Sequence, residues 1–237
     1  MTKAAELASA PLHAIKKPEA SMRFKLAGVG AVLLSSIALA QTPTAPELHL
    51  RGDRFRPLTY SELTPAQKAM VDDMMTGERK GVMSGPFNTL LRSPEMGDAA
   101  QKLGAQVRFH SVLPNRLNEM AILITARFWN AQYDWWSHHK QALAAGLSPA
   151  VIDAISAGKR PASMQSDEEI IYNFADELLR TKQVSDASFQ AVVGKFGETG
   201  AVDLTGVMGY YSFVSMVLNV DRYPMPEGVK PELKPLP

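Results

Sequence analysis

The chain has 237 residues, 46% of them hydrophobic and 21% charged, enough for one domain with its own core and short extensions. A net charge of +1 gives no electrostatic case for nucleic acid or an anionic membrane surface. With no cysteine, disulfides, thiolate nucleophiles and thiol redox cycling are all excluded.

Residues 1–21 are polar and unpatterned, and read as a leader or as the product of a start codon placed before Met22. Residues 22–40 have a basic start (Arg23, Lys25), an apolar run from Leu26 to Leu39 and an Ala38-Leu39-Ala40 end. This is the three-part pattern of a cleaved signal peptide, and the apolar run, about 14 residues, is short of a bilayer span. The expected location is therefore the periplasm or the outside of the cell, with no stable membrane span after cleavage. Residues 41–60 are rich in proline and lack a period, so they predict an extended arm, one that could lie on a neighbouring subunit.

Helix signals fill the rest. Thr64-Pro65 caps and opens a helix to about Thr76, a loop runs from Gly77 to Gly85, and a short turn or helix follows to Leu91. Ser93-Pro94 opens a helix to about His110, and Leu113-Pro114 another to about Trp129. After a break near Asn130, Ala131–Ala145 forms a helix ended by Gly146, and Ser148-Pro149 starts one to about Ala157. Ser166 and Glu169 suggest a capping box, Ser185 caps a helix to Phe196, and Gly200 to about Val220 is the most apolar helix, expected in the core. Residues 223–237 form a proline-rich extended tail. No strand alternation is present, so the fold class is all-α, with the helical domain at 61–222.

The densest chemistry lies between Glu119 and Ala145. Glu119 shares a helix face with Ile122, Leu123 and Ala126, which suggests a partly buried carboxylate, although Arg116 one turn earlier offers a plain ion pair. Asp134 and His138 are an i,i+4 pair on the next helix, close enough for the carboxylate to orient the imidazole. His139 points to a different face. Arg108 and Arg127 could anchor a carboxylate or serve as surface ion pairs. Asp134 and His138 lack a well-spaced third ligand, so no metal is expected.

Glu119-x11-Ala131-x2-Asp134-x3-His138 has the spacing of the alkylhydroperoxidase D motif, in which cysteines stand at the second and third positions. The flanking text resembles the carboxymuconolactone decarboxylase branch of that superfamily: Gly85-Pro-Phe-Asn88, Leu91-Arg-Ser-Pro94, Leu113-Pro-Asn-Arg-Leu117, Glu119-Met-Ala-Ile-Leu123, Ala131-Gln-Tyr-Asp-Trp135, Ala145-Gly-Leu-Ser148 and Gly209-Tyr-Tyr211. The resemblance covers roughly 60–222. It implies an alkylhydroperoxidase D-like helical bundle that assembles into homotrimers or homohexamers. It further implies an enzyme acting without a cofactor on a small-molecule substrate, a carboxylated lactone or ring acid, in the manner of a lyase. In that reading His138 donates or shuttles the proton, Glu119 is its relay partner or a second acid, and Asp134 orients His138. Tyr133, Trp135 and Phe87 wall the substrate pocket. Ala131 and Asp134 occupy the cysteine positions, so peroxide reduction through thiols is not available. The other readings are a thiol-free relative with peroxidase or peroxiredoxin-type activity, and a non-catalytic periplasmic small-molecule-binding module.

Overall fold

A computed structural model describes residues 45–81 and 83–235. The expected leader at 1–21, the expected signal peptide at 22–40 and the first residues of the expected arm lie outside the described residues. Eight helices are present among the described residues, with no strand: α1 (Pro65–Thr76), α2 (Phe87–Leu90), α3 (Pro94–Phe109), α4 (Asn115–Phe128), α5 (Gln132–Ala144), α6 (Pro149–Ser156), α7 (Ser166–Thr181) and α8 (Asp186–Asp221). A short 3-10 turn, Tyr60–Glu62, precedes them.

The starts follow local chemistry. Thr64 accepts from the Gln67 amide, Gln67 returns the bond, and Pro65 supplies a fixed φ in the first turn. The α4–α5 corner turns on Asn130 at φ 50°, a left-handed conformation that asparagine tolerates. Gly146 adopts φ 88° after α5, and the Leu147 amide closes back on the Ala142 carbonyl. One expectation shifts. The capping box of α7 is Gln165 with Glu168, one residue earlier than Ser166 with Glu169, because Gln165 is the residue with extended backbone. The break expected between Phe196 and Gly200 is present: Gly197 takes φ 73° and ψ 175°, outside the helical range, so α8 is two helical segments joined there.

Helix α4 is the axle of the bundle. Its residues Leu117 to Arg127 are all buried, and it packs against α5, α6, α7 and α8. A helix buried on every side belongs at the centre of a core, whatever its propensity. The second half of α8 is long and apolar enough to cross a membrane, yet it lies against α3, α4 and α7, with Leu204, Val207 and Val214 in the main core. A smaller core joins α1 and α2 to the arm through Leu48, Met70, Met74, Phe87 and Leu91.

The described part of the arm begins at residue 45. It lies on its own chain, where the amides of Asp53, Arg54 and Phe55 all donate to Asp221 Oδ1 at the end of α8. Asp221 is fully buried, and a carboxylate that accepts three amides is a strong anchor for an otherwise irregular segment. The C-terminal tail is held on α5: Gln132 bonds Leu233 at both its amide and carbonyl, and Arg127 donates to the Lys234 carbonyl.

Candidate active site

His138 sits on the inward face of α5, 4% exposed, with Glu119 of α4 equally buried beside it. Its Nδ1 lies 2.7 Å from Glu119 Oε2. A carboxylate at that nitrogen calls for a proton on Nδ1, which leaves Nε2 to face the cleft. Nε2 in turn is 3.8 Å from Asp134 Oδ1, too far for a direct hydrogen bond and a gap that one water or one substrate atom can bridge. Glu119, brought by the neighbouring helix, makes the hydrogen bond that fixes the ring, while Asp134 lies within ion-pair distance of the other nitrogen without a hydrogen bond to it. Arg116 does not compete for Glu119. It pairs with Asp167 and Glu168 of α7.

Asp134 is free for another role. It is 4% exposed, and Ser215 of α8 donates to its Oδ2 at 3.1 Å. Burial pushes its carboxyl up to about 6, against the opposing pull of His138 and the Ser215 hydroxyl. A carboxyl that titrates there can hold or release a proton near neutral pH. Tyr211 meets the His138 ring edge-on at 4.8 Å between centroids. Burial raises its phenol well above the ordinary value, so it stays a neutral donor.

These groups form one wall of a cleft of about 250 Å³. Phe87 and Tyr133 line it, as their place in the sequence suggests. Trp135 does not. It is 1% exposed on the other side of α5, where its indole donates to Glu232 of the tail at 3.1 Å. Two residues along a helix are about 200° apart, so Tyr133 and Trp135 cannot share a wall. His139, partly exposed, also contacts Glu232, at 2.6 Å.

Arg79, Tyr210 and Tyr211 also line the cleft without having been assigned a role, and so does Arg108, weighed above as a carboxylate anchor or a surface ion pair. The Arg79 guanidinium is buried, lies over the Phe87 ring and donates to the Gln101 carbonyl and to the Tyr210 hydroxyl. Arg108 donates to Gln141 at 2.7 Å. Neither guanidinium has a carboxylate within salt-bridge distance among the described residues, whereas Glu78, at the same cleft, is paired with His110. Close approach of Tyr210 and Arg79 to α3 depends on Gly104, where a Cβ would lie 2.2 Å from the Tyr210 hydroxyl. Glu119 borders a second cleft on its far side, which shares Arg108 and Gln141 with the first. The Glu119–His138 pair thus stands between two solvent-reachable spaces. No group of three or more His, Asp or Glu side chains suited to hold a metal occurs among the described residues.

No protein-family model and no curated protein matches the chain. A solved structure does: a crystal structure of a protein of unknown function from Agrobacterium tumefaciens, offered there as a candidate antioxidant defence protein AhpD. It aligns with a TM-score of 0.53 at 19% identity, over 60% of this chain and 98% of that one. The fold is therefore the AhpD-like all-α bundle.

Proposed function

We propose that the cleft transfers protons without a resident cofactor, in a lyase or decarboxylase-type reaction on a small carboxylated lactone or ring acid. The observation that carries this is the His138 ring, fixed at Nδ1 by Glu119 with Nε2 facing Asp134 across 3.8 Å at the cleft wall. An acid and a base on opposite sides of a small gap are what general acid–base chemistry on carbon requires. Arg79 and Arg108 fit the anionic group of such a substrate, and the rings of Phe87 and Tyr133 fit its apolar body.

In the decarboxylation, the bond from carbon to the departing carboxylate breaks and its electron pair enters a conjugated acceptor in the substrate. Carbon dioxide leaves, and a proton held by His138 or Asp134 is delivered to that carbon. Glu119, open to the second cleft, returns the proton from solvent. The thiol route of peroxide reduction has no residue to carry it, because the chain has no cysteine. The proposal extends to an exported homo-oligomer. Support for assembly comes from exposed apolar side chains, Phe109 in the cleft lining and Val112 and Val202 elsewhere on the surface.

The test is a panel of carboxylated lactones and ring acids, scored by carbon dioxide release and by deuterium uptake from solvent. His138→Gln should lower turnover about 100-fold or more with helicity intact. An unchanged rate in that variant sinks the reading. Binding of panel members with no turnover by the wild-type chain favours the binding-module reading instead.

A further inference from the structure

A second cavity, of about 280 Å³, opens between α4, α6 and α7 and shares no residue with the cleft at His138. Ile124, Phe128, Ile155, Tyr172 and Leu179 make its walls. The charged groups on it are unbalanced. Arg127, Lys159 and Arg180 line it against one acid, Asp176, and that acid is already paired with Arg180 at 2.5 Å.

Arg127 is the unusual member. It is 4% exposed, yet no carboxylate lies within salt-bridge distance of it among the described residues. Its two terminal nitrogens donate to neutral oxygens, Asn130 Oδ1 and the Lys234 carbonyl, and its Nε is buried with no acceptor among the described residues. A buried guanidinium without a counter-charge is costly, and each buried donor without a partner adds to the cost. An anion in the cavity would offset that cost.

We propose that this cavity binds a monocarboxylate with a compact apolar body, an aryl or medium-chain alkyl acid, whose carboxylate reaches Arg127 and whose body fills the space between Phe128, Ile155 and Tyr172. Charge complementarity selects the anion, since Lys159 at the opening adds a second positive group. The apolar walls select against small hydrophilic anions, which would leave them wet. The site is independent of the chemistry at His138.

The probe is octanoate, titrated calorimetrically into the full chain, with octanol as the neutral control of equal length. One octanoate per chain should bind at least about tenfold more tightly than octanol. Arg127→Gln and the surface variant Lys159→Glu should each weaken octanoate while leaving octanol unchanged. Lys159→Glu covers the case in which loss of Arg127 loosens the tail. Ser84→Trp, which obstructs the His138 cleft instead, should leave octanoate binding intact. The proposal is overturned if octanol binds as well as octanoate, if neither charge variant weakens octanoate, or if Ser84→Trp abolishes its binding.

Discussion

Helix α4 carries two buried ionisable clusters one turn apart, and they are built to opposite rules. In the first, Arg116 bridges to Asp167 and Glu168 of α7, and Glu168 also accepts the Gln165 amide that starts that helix. The charges there close on one another, at a helix N-terminus that favours acids. In the second, Glu119 and Asp134 flank a single histidine, Asp134 is held only by Ser215 and a 3.8 Å gap remains open to a cleft. Each holds a deeply buried acid, Glu168 at 1% and Glu119 and Asp134 at 4%, although Arg116 and Asp167 of the first are partly exposed. Burial of charge therefore does not mark the site. What marks it is incomplete pairing that faces a space large enough for a substrate.

The sharpest way to break this contrast is Arg116→Ala. It would leave two carboxylates side by side without their cation, and should cost about 3–5 kcal/mol of stability, lowering Tm by about 10 °C. Ligand binding in the cleft should be unchanged at temperatures where the variant is folded. Loss of binding at those temperatures would join the two clusters into one unit and void the distinction.

Asp134→Asn should do the reverse. The carboxyl has an ordinary value of 3.8 in the unfolded chain and is pushed up to about 6 in the folded one. Between those values the folded chain holds the extra proton. Stability from this group is therefore greatest below about pH 4 and declines as pH rises through about 6, a cost of about 3 kcal/mol at neutral pH and above. Asparagine removes that cost and still accepts the Ser215 hydroxyl. The variant should be more stable than the wild type by roughly 1–3 kcal/mol at pH 8, with the gain vanishing near pH 4, and turnover should collapse. Urea unfolding across that pH range measures it. A pH-independent difference, or a variant less stable at pH 8, contradicts the raised carboxyl.

The sequence made the helices legible because proline and a small polar residue mark so many of their starts, at Thr64-Pro65, Ser93-Pro94 and Ser148-Pro149. The Glu119–His138 pair was legible from spacing, since two helices joined by a tight corner bring fixed positions together. The i,i+4 offset also placed Asp134 beside His138, whereas its bond from Ser215 on α8 had no local signal in the sequence. Arg79, Arg108, Tyr210 and Tyr211 come from a loop, α3 and α8, so no periodicity links them. The Gly209-Tyr-Tyr211 fragment and the weighing of Arg108 as a carboxylate anchor were the hints of that wall. The misplacement of Trp135 was avoidable: with Tyr133 assigned to the pocket, helical geometry puts Trp135 on the opposite face.

A smaller effect separates orientation from proton supply. Glu119→Gln keeps a hydrogen-bonding partner at Nδ1 but removes the charge, so it should cost only about 1–2 kcal/mol of stability. Turnover should fall more than that figure suggests, and substrate binding should hold, because Glu119 touches the ring and not the cleft at Phe87. Equal losses in binding and turnover would make Glu119 a packing residue.

The least effect is expected on the far side of the same helix, at Trp135. Trp135→Phe removes one hydrogen bond to Glu232, worth about 0.5–1 kcal/mol, and keeps most of the buried ring. His139 still holds Glu232, so the tail should stay on α5. Affinity in the cleft and turnover should match the wild type, because the indole is outside the cleft lining and its hydrogen bond goes to Glu232. If Trp135→Phe instead impairs the cleft as strongly as a change at Tyr133, α5 would be transmitting strain between its faces. The open pairing at His138 would then depend on the tail, and the contrast between the clusters would have to include the clasp that holds α5 from behind.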